Sequence, residues 1–400
     1  MRDLRPLLGG ETLERVAELT TMRQRTELRD RHGTRLAEID DDWVSASVPV
    51  AVRFREVEIE LDAGDAGLLD GLARWLRSAG AEPLAGGPKL ARVLAARLTT
   101  APARRPGLGR RSSVADVVAA SLAQGLDRLV DGDLGIRFGD DPESVHQARV
   151  ATRRLRSDLK TFGAALDPGW VRRTRAELGW VAGLLGQVRD TDVLAGRLTS
   201  VAAASADIDA VAINGLQDTL AAQRAEVYEQ LREALGSGRY VELVRSLEDA
   251  VGSPPFASGA SLVAPARTAL RPLLRRPWRT LCRTAGQLGS EPSDHDLHLV
   301  RIKAKQLRYA AELAAPVAGE RAARLGHAAQ ALQDVLGDHR DAVVAEQWLR
   351  QVAAAGDAAS AFAAGQCVTL ERQRQTARRD EWPEVWRKLR RKKLPDWLRT

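Results

Sequence analysis

The sequence predicts a mainly α-helical protein with a small α+β region at its amino end. Alanine, leucine, glutamate and arginine dominate the composition, and aromatic residues make up only 4% of it. Both features favour helices over sheets. Runs of valine, isoleucine and threonine become scarce after about residue 62, so strands are expected only before that point. The 400 residues suffice for two or more domains whose cores need neither disulfides nor a structural metal.

The predicted α+β region occupies the first hundred residues. Leu28–Gly33 has the composition of a hairpin turn, and Arg35–Ile39 is the expected returning strand. Phe54–Leu61 alternates with glutamates on one face, which predicts another strand. A helix is expected over Ala66–Ala79, followed by a glycine-rich coil that leads to Lys89.

A segment rich in proline, glycine and arginine separates this region from the helical part. Ser113 and Asp116 have the spacing of a capping box, so a helix is expected to begin there. A second break lies at Gly252–Gly259 and divides the helical part in two. The predicted domains are therefore an amino-terminal domain over 1–100, a linker over 101–112, and a helical domain over 113–396 with halves at about 113–251 and 260–396.

The two halves repeat the same motif. Four positions recur at an offset of 152 residues: His146, Arg149, Arg153 and Arg156 correspond to His298, Arg301, Lys305 and Arg308. A second match, at an offset of 151 residues, relates Leu185–Asp190 to Leu336–Asp341 through a shared pattern of Leu-Gly, two variable residues and Arg-Asp. Two separate matches at nearly one offset indicate a duplicated helical unit.

The repeated residues form one stripe on each helix. Positions i, i+3, i+7 and i+10 fall within an arc of about 80° on a helix, and Lys160 at i+14 extends the first stripe. Each stripe is roughly 15 to 20 Å long. Like charges at i and i+4 destabilise a helix by a few tenths of a kcal/mol per pair, so the stripes need a compensating anion. That anion is either a bound ligand or the protein's own carboxylates.

The charge is unevenly distributed along the chain. Residues 1–100 contain 15 Lys+Arg against 17 Asp+Glu, and the remaining residues contain 45 against 36. Of the 60 cations 53 are arginine, whose planar fork suits bidentate contact with phosphate oxygens. A general compositional bias accounts for most of this excess, so the positions of the arginines carry the argument.

Several classes of function are disfavoured by the sequence. No 18-residue apolar stretch and no signal-peptide core are present, which predicts a cytoplasmic protein without a membrane partner. Cys282 and Cys367 lack partners at metal-binding spacing and are expected to be small core residues. No HExxH motif, Cys/His cluster or glycine-rich phosphate loop occurs. A nucleic-acid partner is disfavoured because no aromatic residues are interleaved with the basic stripes.

The carboxyl-terminal basic run Arg387–Lys393 has two interpretations. It either contacts a polyanion or forms the solvated face of a terminal helix, and the second interpretation is preferred.

The chain from about 108 to 396 resembles the CHAD domain, the conserved histidine alpha-helical domain. The resemblance rests on the HxxRVxxRRLR helix that begins at His146, the HxxRIxxKxLRY helix that begins at His298, and the two Leu-Gly-x-x-Arg-Asp segments. It implies two four-helix halves related by a pseudo-twofold axis, with a central groove that binds inorganic polyphosphate without catalysis, in a targeting or scaffold role at polyphosphate granules. The implied polyphosphate ligands are His146, Arg149, Arg153, Arg156, Lys160, His298, Arg301, Lys305 and Arg308. Arg189 and Arg340 are implied either to contact the ligand or to orient the groove arginines.

The amino-terminal region resembles the later part of a CYTH domain, the triphosphate tunnel fold. The matching residues are Arg23, Arg25, Asp40–Asp42, Glu58, Glu60 and Lys89. In that family carboxylates hold a divalent metal and basic residues hold a triphosphate. The opening ExExK strand is absent from the sequence, so Glu58 and Glu60 are predicted to be vestigial, and no catalytic residue, metal or cofactor is expected. The alternative is a metal-dependent triphosphate or polyphosphate hydrolase, which requires a complete tunnel with Mg²⁺ or Mn²⁺.

Overall fold

A computed structural model describes the protein over 15–47, 51–84, 89–94, 107–139, 141–204, 210–260 and 262–391. The chain divides into two compact units, one over Glu11–Pro106 and the other built on Gly107–Thr400. The structure is mainly helical with a small amino-terminal sheet, so the predicted fold class is confirmed. Among the helices of the described residues, none combines the length and apolar character that crossing a membrane requires.

The amino-terminal sheet has three antiparallel strands in the order β1-β2-β3. They are β1 (Glu18–Arg29), β2 (Arg35–Ser47) and β3 (Val52–Leu61). At the β1–β2 turn the Asp30 side chain accepts hydrogen bonds from the backbone of His32 and Thr34, and Gly33 adopts a positive φ of 87°. β2 extends to Ser47 rather than ending at Ile39, because Val44 and Ala46 are buried and continue its alternation.

Two helices follow the sheet in this unit. α1 spans Ala66–Ser78, with Asp65 as its N-cap. α2 spans Lys89–Val93, so Lys89 lies at the start of a short helix rather than in a coil.

The helical unit consists of two consecutive halves. The first contains α3 (Val114–Phe138), α4 (Pro142–Thr161), α5 (Pro168–Ala204), α6 (Ala210–Leu235) and α7 (Gly238–Gly252). The second contains α8 (Ala266–Gly286), α9 (Asp294–Ala318), α10 (Glu320–Ala355) and α11 (Ala358–Arg391). The chain breaks between α6 and α7 at Gly236–Ser237, where Ser237 caps α7, whereas α11 continues through Pro383. Apart from this break, each half has four long helices in the same order.

The halves pack against each other through corresponding helices. α4 contacts α9, α5 contacts α10, and α6 contacts α11. Leu155 of α4, Leu185 of α5, Val300 of α9 and Leu336 of α10 belong to one buried cluster, so the two halves share a core. A smaller cluster, which includes Cys367, lies among α5, α6, α10 and α11.

Candidate functional site

The repeated basic residues lie at the edge of the shared core rather than on the solvent face of their helices. On α4, His146, Arg149, Arg153 and Arg156 each follow a buried residue directly: Val145, Ala148, Thr152 and Leu155. On α9, His298, Arg301, Lys305 and Arg308 follow Leu297, Val300, Ala304 and Leu307 in the same way. Successive side chains on a helix differ in direction by about 100°, so a residue that directly follows a buried one lies beside the buried face. All eight basic residues are accordingly partly buried. We call these eight residues the basic cluster.

Contacts between α4 and α9 bring the two stripes together. The Arg153 guanidinium donates a hydrogen bond of 2.7 Å to the hydroxyl of Tyr309. Glu312 of α9 lies 3.2 Å from the Arg154 guanidinium and 3.5 Å from the Nε of Arg308. Tyr309 and Glu312 were not among the predicted site residues. For Tyr309 the sequence contains one indication, because this residue directly follows Arg308 in the second motif.

The cluster is short of negative charge. The pKa of the Lys305 ammonium falls to about 7, first because of burial and then because of the surrounding charges of Arg153, Arg301, Arg149 and Arg308. Burial is likewise the main reason why the pKa values of Arg149 and Arg301 fall below their usual range. Arginines from both halves therefore act on one lysine, which shows that the stripes form a single electrostatic unit.

The two histidines of the cluster have the same environment. Burial lowers the pKa of each imidazole, followed by the charge of Arg189 for His146 and of Arg340 for His298. Both effects favour the neutral imidazole over the imidazolium form. Arg189 and Arg340 act on the two histidines in the same way.

Several polar atoms of the cluster are buried without a hydrogen bond among the described residues. They are the Nε atoms of Arg153, Arg156, Arg301 and Arg308 and the Nδ1 of His298. A buried donor without an acceptor costs about 1 to 3 kcal/mol, so an arrangement that leaves several of them together favours the binding of an acceptor-rich group.

The glycines of the two Leu-Gly-x-x-Arg-Asp segments lie against arginines of the cluster. A Cβ atom at Gly186 would lie 3.7 Å from the Nε of Arg149, and one at Gly337 would lie 3.5 Å from the Nε of Arg301. Each guanidinium thus rests on the backbone of the neighbouring helix, α5 or α10, in space that a larger side chain would occupy. The two glycines are part of the repeated Leu-Gly-x-x-Arg-Asp pattern, but their contacts with the arginines were not predicted from the sequence.

The aspartates of the same segments only partly neutralise the arginines. Asp190 lies 3.7 Å from the Arg149 guanidinium, which is an ion pair without a hydrogen bond. Burial raises the pKa values of Asp190 and Asp341, and the charges of Arg149 and Arg301 oppose that shift. Lys160 is exposed in the last turn of α4, so it lies at the end of the stripe and outside the buried cluster.

The CHAD domain family matches residues 120–350, which include both stripes and both glycine-containing segments. The chain belongs to the CHAD domain family.

Similar proteins and structures extend over most of the chain. Two uncharacterized proteins from two strains of Mycobacterium tuberculosis are each 32% identical to this chain over an alignment of 383 positions. The alignment covers 88% of this chain and 70% of theirs. The crystal structure of the CHAD domain from the plant Ricinus communis is similar with 25% identity and a TM-score of 0.60, over 73% of this chain and 96% of that one. PptA from Streptomyces chartreusis shares the fold at 24% identity and a TM-score of 0.57, over 69% of this chain and 100% of that one.

An ion-pair network joins the two halves of the CHAD domain. Arg197 of α5 donates to Asp338 of α10 at 2.7 Å and to the buried Glu371 of α11. Asp338 also accepts from Arg378 at 2.7 Å. These residues were not among the predicted site residues. They hold α5, α10 and α11 together next to the Arg-Asp segments.

The charged residues of the amino-terminal unit have the opposite arrangement, because Arg23, Arg25 and Lys89 all contact carboxylates. Arg23 donates to Asp42 at 2.7 Å and lies 2.5 Å from Asp40, and Arg25 donates to Asp40 at 2.9 Å. Lys89 lies 2.9 Å from Asp42, 2.7 Å from Glu56 and 3.3 Å from Glu58. The hydrogen bond from Arg23 is the main reason why the pKa of the Asp42 carboxyl lies well below its usual range.

Because of these pairings, the carboxylates of the sheet do not fit the divalent metal that the CYTH resemblance implies. Glu58 is paired with Arg23 and Lys89, and Glu60 stands opposite Glu38 in the register of β2 and β3. In the part of the chain that the structure describes, no group of three or more histidine, cysteine, aspartate or glutamate side chains is arranged to hold a metal.

Proposed function

We propose that this CHAD domain protein binds inorganic polyphosphate in a groove lined by the basic cluster. The observation that carries the proposal is that two arginine-rich stripes lie side by side and that, among the described residues, several of their buried Nε atoms form no hydrogen bond. A polyphosphate chain supplies closely spaced phosphoryl oxygens, which arginine forks bind with charge-assisted hydrogen bonds. The ligand set consists of the eight residues of the basic cluster, with Lys160 where the chain leaves the groove and Arg189 and Arg340 beside the histidines.

The recessed position of the cluster favours a thin polymer over nucleic acid. Its side chains are partly buried, and the aromatic ring of Tyr309 is only 4% exposed with its hydroxyl engaged by Arg153. Base recognition in single strands depends on exposed aromatic platforms, which this cluster lacks among the described residues. Polyphosphate has no bases and needs only cationic donors along its length.

We propose further that the protein binds without turnover and serves as a targeting or scaffold protein at cytoplasmic polyphosphate granules. The amino-terminal sheet is a partial CYTH-like domain in this proposal. Its carboxylates Asp40, Asp42 and Glu58 are paired with Arg23, Arg25 and Lys89, so binding of a metal ion there would require these pairs to break.

The test is a titration of the full chain with long-chain polyphosphate at two salt concentrations. A variant carrying Arg149→Ala, Arg153→Ala, Arg301→Ala and Lys305→Ala is expected to bind at least about 100-fold more weakly, because each contact contributes on the order of 1.5 to 3 kcal/mol. Its affinity is also expected to depend less steeply on salt, since fewer phosphates are neutralised.

A matched control removes the same number of charges elsewhere on the helical unit. Arg172→Ala, Arg173→Ala, Arg321→Ala and Arg324→Ala replace exposed arginines of α5 and α10. This control is expected to bind like the wild type. Equal loss in both variants, or no loss in the first, would overturn the assignment of the ligand to the basic cluster.

A further inference from the structure

A second basic surface lies on α8 and has no part in the cluster described above. This helix carries six arginines and no acidic residue in 21 positions. Five of them, Arg267, Arg271, Arg275, Arg279 and Arg283, follow one another at intervals of four residues, so they form a continuous stripe of about 24 Å. Arg279 and Arg283 are exposed, and the other three are partly exposed.

The arginines of α8 are not neutralised. Within the described residues none of the five forms an ion pair, and the buried Nε of Arg271 has no acceptor. Arginines at i and i+4 repel each other, and Pro272 and Pro277 weaken the helix further by removing backbone hydrogen bonds. The helix is held by burial of Leu270, Leu274 and Trp278, so the stripe is tolerated rather than required by the fold.

Composition alone does not explain the stripe, because the corresponding first helix of the other half differs. α3 has four aspartates, Asp116, Asp127, Asp131 and Asp133, and only two arginines. One of these, Arg137, donates to Asp133. The same genome-wide preference for arginine acts on both helices, so the excess on α8 is specific to that position.

The stripe is separate from the basic cluster. The charges that act most strongly on His298, Arg301 and Lys305 come from α4, α9 and α10, and none comes from α8. At the other end of α8, burial raises the pKa of the Cys282 thiol, and the charge of Arg390 of α11 opposes the shift.

The chemistry of this surface fits a phosphate polymer. Trp278 is buried, and no large apolar side chain of α8 is among the exposed ones in the described residues. Base stacking and insertion into a membrane therefore have no group to use on this helix. Guanidinium forks that follow one another at a rise of about 6 Å along the helix can contact phosphoryl groups at intervals along one chain.

We infer that Arg267, Arg271, Arg275, Arg279 and Arg283 form a second polyphosphate-binding surface, which we call the α8 surface. This inference rests on the proposed function, because it assigns the same ligand to a second place. A protein with two such places holds two chains, or two segments of one chain, and binding at one raises the effective concentration at the other. The protein thereby cross-links polyphosphate, which is what a scaffold at a polyphosphate deposit must do.

The test is a bridging assay with the full chain, polyphosphate immobilised on beads and a second, fluorescent long-chain polyphosphate. The wild-type protein is expected to retain the fluorescent chain on the beads. A variant with Arg267→Gln, Arg271→Gln, Arg275→Gln, Arg279→Gln and Arg283→Gln is expected to bind the beads but to retain roughly tenfold less fluorescent chain. Binding to the beads shows that the variant is folded. If the five-substitution variant does not bind the beads, the smaller variant Arg275→Gln, Arg279→Gln and Arg283→Gln is tested instead.

Two further proteins separate this inference from the proposed function. The variant with four alanines in the basic cluster is expected to keep weak bead binding, which disappears when the α8 substitutions are added. Wild-type bead binding by the four-alanine variant would overturn the groove and not the α8 surface. Arg172→Gln, Arg173→Gln, Arg321→Gln and Arg324→Gln serve as the control and are expected to bridge normally.

Three results would overturn the α8 surface. The first is bridging by the α8 variant at the wild-type level, as two grooves in a dimer would produce. The second is an equal loss in the control, which would mean that any reduction in charge suffices. The third is normal bridging of polyphosphate together with loss of duplex DNA binding, which would assign the surface to a nucleic acid.

Discussion

Two lysines in the two units of the protein have opposite environments. Lys89, beside the amino-terminal sheet, lies within 3.3 Å of Asp42, Glu56 and Glu58, and its pKa rises mainly because of the hydrogen bond to Glu56. Lys305, in the helical unit, is buried among arginines, and burial lowers its pKa to about 7. Both lie in clusters rich in basic residues, yet only the cluster around Lys305 lacks matching carboxylates.

This comparison shows that the number of basic residues does not identify an anion site. On the sheet, Arg23 and Arg25 donate to Asp42 and Asp40, so those cations already have their anions. In the helical unit, Arg149 has Asp190 only at 3.7 Å, and the Nε of Arg301 has no acceptor among the described residues. A polyanion that binds beside Arg149 and Arg301 reduces the repulsion between like charges there. A polyanion that binds beside Arg23 and Arg25 has to displace the carboxylates that already contact them.

The largest expected effect comes from a matched pair of single substitutions in the two units. Arg301→Ala should lower the affinity for long-chain polyphosphate by roughly 10- to 100-fold, since it removes one charge-assisted contact. Arg23→Ala should leave the affinity within about twofold, because Arg23 is engaged by Asp40 and Asp42. Titration calorimetry at moderate salt measures both. A comparable loss in the two variants would show that binding depends on total charge and not on pairing.

The next effect concerns pH. Lys305 in the unliganded protein has a pKa of about 7, and a bound polyanion raises it, so binding above pH 7 requires the uptake of a proton. The affinity should therefore fall with rising pH between about 7 and 9, by at most about tenfold per pH unit. Lys305→Arg, which stays charged, should remove this slope. Calorimetry in buffers of different ionisation enthalpy counts the protons, and zero uptake at pH 8 would contradict the prediction.

A smaller effect is expected on stability, with opposite signs for the two lysines. The folded pKa of Lys305 lies below the unfolded value of 10.5, so its destabilising contribution is full below pH 7 and disappears as pH rises toward 10.5. Lys305→Met should therefore raise the Tm of the helical unit at pH 6.5 by at least about 2 °C, and much less at pH 9.5.

Lys89→Met is the matched substitution in the sheet unit. The folded pKa of Lys89 is raised, so its stabilising contribution is present below the unfolded pKa and is lost only as pH rises above it. This variant should destabilise the sheet unit at pH 6.5, which hydrogen exchange of β2 and β3 amides would detect. If Lys305→Met and Lys89→Met changed stability at pH 6.5 in the same direction, ion pairing would not be what distinguishes the two clusters.

The smallest effect is expected at the contact between the halves. Tyr309→Phe removes the hydroxyl that accepts from Arg153 and leaves the ring in place. Arg153 loses part of its preorganisation, so polyphosphate should bind about two- to fivefold more weakly with little change in Tm. Tyr240→Phe, at a buried hydroxyl of α7 without a hydrogen-bond partner among the described residues, is the control and should leave binding unchanged.

Much of the fold was predictable from local sequence. The capping box of Ser113 and Asp116, the hairpin turn before Arg35 and the repeated motifs all depend on residues close together in the chain. α8 was less predictable, because Pro272 and Pro277 signal breaks in an isolated helix. It remains helical because Leu270, Leu274 and Trp278 are buried against the rest of the unit, and that burial involves residues distant in sequence.

The candidate site was predictable only in part. The spacing of His146, Arg149, Arg153 and Arg156 determines which side chains share a face of α4, since helical geometry is local. The contact of Arg153 with Tyr309 and the packing of Arg301 on Gly337 join residues of different helices. Spacing along the chain does not predict contacts between different helices, so these partners were not predicted.

Residue order alone predicts a mainly helical protein with a duplicated helical part and one stripe of basic residues in each half. Which of the charged residues have partners depends on how the helices and strands are arranged in space. Lys89 and Lys305 are the same residue type, and a local pattern does not distinguish them. Their difference arises because the electrostatic energy of an ionised group depends on burial and on charges within a few ångströms, which come from segments far apart in the chain.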